Sequence, residues 1–280
     1  MDDGVVTFKD YFRIQENLIP NLNELLSQIE KSDTASVEFN KNDKECLFYL
    51  GMLFANGIKI KLSNEEVLEG EFENEDYKEK GKSFPIMVYV WSKLFDPEWP
   101  KDEPINDMAV LLANVKRLGL DLKLTRVPNR AQKNKLFLIC PVRGSSEETK
   151  TWIENYKTVM SHYGFNVHAP HLDTNQVDKF AGYAICRQNA EAIGKSQEVE
   201  LLYNPSSNGS AFDLGVAYAL RKPIRLLNDD SFVFNDDNVI DQIILRWPYN
   251  ENKRANSVKD TYAKVRARVN QAIRRMYQKV

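Results

Sequence analysis

The chain repeats itself. Sliding the sequence by 164 positions, without a gap, sets Ile29, Lys31 and Ser32 on Ile193, Lys195 and Ser196, and goes on to align Asn40/Asn204, Phe48/Phe212, Leu50/Leu214, Gly51/Gly215, Ala55/Ala219, Ile60/Ile224, Leu62/Leu226 and Asn64/Asn228. Each copy reads as strand, polar loop, helix, strand. A looser match sets residues 84–124 beside 136–167, as an apolar strand, a helix ending at Gly119 or Gly164, and another strand. Strands alternating with helices at this spacing imply βαβ units, and hence a parallel sheet covered on both faces. The expected fold is therefore α/β, with two Rossmann-like units at about 1–128 and 133–248. The first is a degenerate copy of the second, its halves in opposite order as in a circular permutant.

Composition narrows the function classes. With 42% hydrophobic and 28% charged residues the chain can bury a core, which excludes a disordered tail, a collagen and a coiled-coil rod. No apolar run approaches the roughly 18 residues of a membrane span, and Met1-Asp2-Asp3 lacks the basic start of a signal peptide, so the expected setting is cytoplasmic, without a membrane partner. Cys46, Cys140 and Cys186 are odd in number and lack metal-type spacing, which predicts reduced thiols. His168 and His171 have no third ligand for zinc, and no metal is expected. A net charge of −2 gives no overall field for nucleic acid. The charge is uneven all the same. Residues 64–79 carry eight acids against Lys78 and read as a solvated loop. In 249–280, Tyr262, Val265, Val269, Ile273 and Met276 recur at helical steps among nine basic side chains. That segment reads as an amphipathic helix docked on the domain, with contact to nucleic acid or an anionic surface as the alternative.

The second unit carries the candidate chemistry. A compact apolar strand, 135–140, runs into the loop Pro141-Val142-Arg143-Gly144-Ser145-Ser146, and a helix is expected from about Glu147. In a parallel α/β sheet the carboxyl ends of the strands face the ligand, and the N–H groups of a helix start favour anions. Arg143 adds a planar, permanently charged fork for phosphate; otherwise Gly144 is a turn residue and Arg143 a surface charge. The next strand, about 198–203, leads into the polar, glycine-containing stretch from Asn204 to Gly215. Gly209 and Ser210 let a ligand approach the backbone there, and Asp213 is expected in the first turn of the following helix, where a carboxylate also suits the helix dipole. The equivalents of Gly209, Ser210 and Asp213 in the first copy are Glu45, Cys46 and Tyr49, so only the second copy keeps a glycine-lined carboxylate.

Residues 204–224, with Gly209-Ser210-Ala211-Phe212-Asp213-Leu214-Gly215 and Ala217-Tyr218-Ala219-Leu220-Arg221-Lys222-Pro223-Ile224, resemble the signature of the nucleoside 2-deoxyribosyltransferase superfamily. Ile139-Cys140-Pro141-Val142-Arg143-Gly144 is more similar to its 2'-deoxynucleoside 5'-phosphate N-hydrolase branch, with a loop one residue shorter. The resemblance covers about 135–228. It implies N-glycosidic cleavage or deoxyribosyl transfer on a nucleoside 5'-phosphate, without a cofactor. Asp213 falls where the family has its nucleophilic glutamate, and Ser207 where the hydrolases bind phosphate. Asn189 stands where the family has a catalytic aspartate. The shorter Asp213 and the amide Asn189 both depart from the pattern, because an offset of about 1 Å can cost roughly 100-fold and an amide cannot titrate. Asp173 or Asp178 could substitute for the missing acid, or be surface turn residues. His168 and His171 could contact or protonate the base, or alternate between core and solvent. Cys140 reads as a small buried residue.

Two functions follow from these residues. One is an enzyme with the site Asp213, Asn189, Arg143, Gly144, Ser145, Ser207, Gly209, Ser210 and His168; the other is a catalytically impaired nucleotide-binding sensor or regulator. Relatives complete their sites with residues of a neighbouring subunit. The first unit is thus expected to act as a built-in partner through Leu47, Leu50, Met52, Leu53 and Phe54, a homo-oligomer being the other arrangement compatible with the resemblance. The alternative is that this face is only the first unit's own core.

Overall fold

The computed structural model describes residues 18–40, 42–64, 87–88, 91–92, 125–142, 145–174, 182–227, 235 and 237–248. In chain order the elements are α1 (Leu18–Ile29), β1 (Thr34–Val37), α2 (Lys44–Asn56), β2 (Lys59–Leu62), β3 (Lys135–Ile139), α3 (Glu147–His162), β4 (Asn166–His168), the single turn α4 (Pro170–Asp173), α5 (Tyr183–Lys195), β5 (Glu198–Leu201), α6 (Asn208–Ala219), β6 (Ile224–Leu226) and α7 (Val239–Leu245). Strands β4-β3-β5-β6 form one parallel sheet in that order, and β1 and β2 a parallel pair. The architecture is α/β with parallel sheets, consistent with a Rossmann-like fold. The acidic run beyond residue 64 and the basic segment 249–280 lie outside the described residues.

The repeat survives in three dimensions. The displacement of 164 carries β1 onto β5 and α2 onto the span of α6 with its C-cap Leu220. Even the register repeats, since Ala35 pairs with Ile60 as Val199 pairs with Ile224. Local chemistry sets the same helix starts in both copies. Asp43 accepts hydrogen bonds from the Glu45 and Cys46 N–H groups, and its equivalent Ser207 accepts from Ser210. Both satisfy first-turn donors that have no partner within the helix. Gly57, at φ 71°, ends α2 in the left-handed conformation glycine adopts without strain.

The copies meet face to face through α2 and α6. A Cβ on Gly51 would stand 2.1 Å from the Phe212 carbonyl oxygen, and one on Gly215 would stand 1.9 Å from that of Phe48. Because Phe48 and Phe212 are equivalents, as are Gly51 and Gly215, each contact is the other's mate about a local two-fold axis. The rings obey the same symmetry. Phe48 meets Tyr218 edge to face at 5.6 Å, and Phe54 meets Phe212 edge to face at 5.4 Å. Both helices are buried almost all round, and their side chains share one apolar cluster with α1, α5 and α7. Leu47, Leu50, Met52, Leu53 and Phe54 all belong to it. The connecting strand of chain is fastened to both copies: Val127 donates to the Ala55 carbonyl and Arg130 to that of Gly194.

One expectation is corrected. Met87, Val88, Trp91 and Ser92 are helical, not part of a strand equivalent to β3. Trp91 packs edge to face on Phe54 at 5.2 Å as Trp247, just beyond α7, packs on Tyr218 at 5.2 Å. Phe54 and Tyr218 are repeat equivalents, so Trp91 packs on the first copy as Trp247 packs on the second. A short continuous apolar run does not distinguish strand from buried helix by periodicity, and here the spacing of Met87, Val88 and Trp91 serves a helix face.

Replacing Gly51 or Gly215 by alanine should force the two backbones apart and cost about 3 kcal/mol or more of stability in urea unfolding. A Cβ on Gly209 meets nothing within 4 Å. Gly209→Ala should therefore leave stability within about 0.5 kcal/mol.

Candidate active site

Three strand ends converge on the site. β3 delivers Cys140 and Pro141, β4 ends at His168, and β5 leads through 202–207 into α6, whose buried inner side carries Asp213. α6 starts at Asn208, so Asp213 lies in its second turn and not in the first, as expected from sequence. Ser207 caps the helix, and Asp213 has no such task. The residue is only 7% exposed. Burial pushes its pKa up from the ordinary value to about 7, partly opposed by the hydrogen bond it receives from Asn189.

That hydrogen bond ends a chain of four side chains. Asn189 Nδ2 donates to Asp213 Oδ2 at 3.3 Å, Thr174 Oγ1 donates to Asn189 Oδ1 at 2.8 Å, and His168 Nε2 lies 2.9 Å from Thr174 Oγ1. Asn189 is held on α5, Thr174 directly after α4, and His168 at the end of β4. The His168 ring is stacked on Phe137 with centroids 5.3 Å apart. Burial depresses the imidazole pKa, the Asp173 charge opposes this, and Lys157, Lys135 and Lys195 add to it.

The other candidates divide into those tied to the backbone and those facing open space. Ser145 Oγ donates to the Pro141 carbonyl at 2.7 Å, and Arg143 and Gly144 lie outside the described residues. Ser207 Oγ accepts from Ser210 N at 3.3 Å and from Ser210 Oγ at 2.9 Å. Gly209, beside them, has nothing where a side chain would stand, so neither packing nor backbone conformation demands a glycine there. Asp173 is spent elsewhere: it pairs with Lys157 and accepts from Ala169 N at 2.8 Å. Burial raises its pKa, but those hydrogen bonds outweigh that and hold it below the usual value. Asp178 lies outside the described residues. His171 faces Glu154 of α3 at 3.8 Å. Cys140 stands by Asp213, and burial together with that carboxylate pushes its thiol up to about 12, which makes it a poor nucleophile. Among the described residues no group of three His, Cys, Asp or Glu could hold a metal ion. No helix among them is long and apolar enough to cross a membrane.

Sequence reading missed two contributors. Thr174 follows the histidine-containing loop with no motif to mark it. Lys44, on the first copy, donates from Nζ to the Ser206 carbonyl at 3.0 Å and also to Asn208 Oδ1, and so fastens the β5–α6 loop from across the interface. A signal for it existed. Lys44 and Asn208 are repeat equivalents, like Gly51 and Gly215, and contacts between equivalents mark the two-fold axis.

The raised Asp213 pKa has a stability consequence with a definite sign. Between about 4 and 7 the folded protein holds a proton that the unfolded chain has lost, so folding stability falls as pH rises through this window and levels off above it. Asp213→Asn should abolish that dependence. Its gain over the wild type in urea unfolding should grow from near zero at pH 4 to as much as about 4 kcal/mol at pH 8.

No curated protein and no solved structure matches the chain. Residues 136–261 match the family model described as Nucleoside 2-deoxyribosyltransferase. That match supports placing this segment, from β3 through α7, in the nucleoside 2-deoxyribosyltransferase superfamily, and with it deoxyribosyl transfer or N-glycosidic cleavage as the general chemistry.

Proposed function

We propose that the protein cleaves or transfers the N-glycosidic bond of a nucleoside 5'-phosphate, with Asp213 as nucleophile. The observation that carries this reading is a buried carboxylate, oriented by an amide, at the carboxyl ends of the strands and in a segment matching that family. In the proposed reaction the ionised Asp213 attacks C1' of the sugar through an oxocarbenium-like transition state. The C1'–N bond breaks, and the base leaves with its electron pair and takes up a proton. Water or a second base then attacks C1' of the glycosyl ester and returns Asp213 to its carboxylate. Arg143, Gly144, Ser145 and the α6 start at Ser207, Gly209 and Ser210 form the phosphate end of this reading. The first copy, 1–128, serves as a built-in partner that steadies the β5–α6 loop of 133–248 through Lys44.

One observation favours a second reading, a nucleotide-binding regulator with little turnover. Asn189 cannot supply the proton that the leaving base needs, and among the described residues it is the side chain shown hydrogen-bonded to Asp213. A panel of nucleoside 5'-monophosphates, with free base detected by chromatography, separates the two. The enzyme reading expects base release that falls away below about pH 7, as Asp213 takes up its proton. Asp213→Asn should abolish release while leaving nucleotide affinity within about tenfold. Arg143→Ala should weaken monophosphate binding at least about tenfold more than nucleoside binding. Binding without release across the panel would leave the regulator.

A further inference from the structure

We propose that the hydrogen-bonded chain His168–Thr174–Asn189–Asp213 has two directions of donation, and that its direction is locked to the charge state of Asp213. His168 and Thr174 are thereby positioning residues for the nucleophile and not contacts to the base. The inference rests on the reading of Asp213 as nucleophile for its importance, but not for its geometry.

An ionised carboxylate only accepts, so Asn189 must turn its Nδ2 toward Asp213, as it does at 3.3 Å. Its Oδ1 then faces Thr174, whose one hydroxyl proton goes to it at 2.8 Å. With that proton committed, the 2.9 Å contact between His168 Nε2 and Thr174 Oγ1 is a hydrogen bond only if Nε2 carries the imidazole proton. Protonation releases that constraint: the acid O–H of Asp213 can donate to Asn189, and each step then runs backwards. The amide turns its Oδ1 to Asp213, Nδ2 donates to Thr174, the hydroxyl swings to His168 Nε2, and the neutral ring must carry its proton on Nδ1. Asn189 suits such a relay because an amide offers a donor at one end and an acceptor at the other without a charge of its own. Thr174, Asn189 and Asp213 are all buried, so little water is at hand to satisfy a mismatched donor or acceptor.

The other titratable groups around the chain among the described residues are the Cys140 thiol at the end of β3, which faces Asp213, and Asp173, Lys157, Lys135 and Lys195, which act on His168. Cys140 stays protonated across the working range, and Asp173 is paired with Lys157, so neither reverses the chain.

The test uses the full chain, with carbon-13 carboxyl labelling of aspartate and nitrogen-15 labelling of histidine, followed by NMR through a pH titration. In the wild type the neutral His168 ring should carry its proton on Nε2 above the Asp213 midpoint and pass to the Nδ1 form below it. Asp213→Asn should remove that switch. Thr174→Val, which keeps the shape but removes the hydroxyl, should raise the Asp213 midpoint by at least about one pH unit, because Asn189 is no longer held as a donor. Thr174→Ser should restore it. A His168 tautomer indifferent to Asp213 titration overturns the proposal, as does an unmoved midpoint in Thr174→Val or a failure of serine to restore it. The wild-type tautomer decides alone should Thr174→Val not fold. None of these measurements needs turnover. A chain that switches in a protein that releases no base overturns the glycosidic reading only, whereas normal base release with an indifferent His168 overturns the relay only.

Discussion

The carbonyl oxygens of Phe48 and Phe212 occupy the space that side chains on Gly215 and Gly51 would need, and this backbone contact fixes the relation of the two copies. Helices that approach so closely cannot slide, because the flanking rings interlock on both sides: Phe48 with Tyr218, and Phe54 with Phe212. The rest of the site hangs from that arrangement. α6 is the helix pinned at the contact, and it also carries Asp213 and presents Ser207, Gly209 and Ser210 at its start. The contact also brings Lys44 within reach of the loop before α6.

A carboxylate in such a setting is held against its own preference for water. Burial alone would keep Asp213 protonated, and the one described side chain that favours its ionised form is Asn189. A second carboxylate at position 189 would act in the opposite sense, since two neighbouring acids resist ionising together. The amide gives up acid–base chemistry but leaves a single buried charge with an oriented donor. The fold bears a cost at Asp213 that a neutral residue would not impose, which is the usual relation between a reactive group and the stability of its scaffold.

Much of this was legible in the sequence, because the features concerned are local or periodic. The repeat located β1, α2 and β2 beside β5, α6 and β6, and the glycine and ring positions that pack at the axis are themselves among its matches. The strand ending at Cys140, the helix at Glu147 and the carboxylate on α6 followed from apolar runs, cap residues and a family signature. What was not legible depends on contacts distant in sequence. Thr174 owes its place to a meeting of α4 and α5, and Lys44 reaches a loop some 160 residues away. The strand expected near residue 84 failed for a different reason. A buried apolar run carries no period that separates strand from helix, and only its packing, Trp91 on Phe54, reveals the helix. Asp213 was placed one turn too early because the cap at Ser207 competes in sequence with a carboxylate six residues on.

The local two-fold between α2 and α6 has the form of a homodimer interface drawn within one chain. In a true homodimer every substitution is made twice, once on each side of the axis, so both sites must remain alike and the interface must tolerate each change against itself. Carrying both copies on one chain removes that coupling. Leu25 stands where its counterpart has Asn189, and Tyr49 where its counterpart has Asp213; both are buried in the shared apolar cluster. One half has thus been free to become scaffold while the other kept its polar interior, and the pairing of the halves no longer depends on protein concentration.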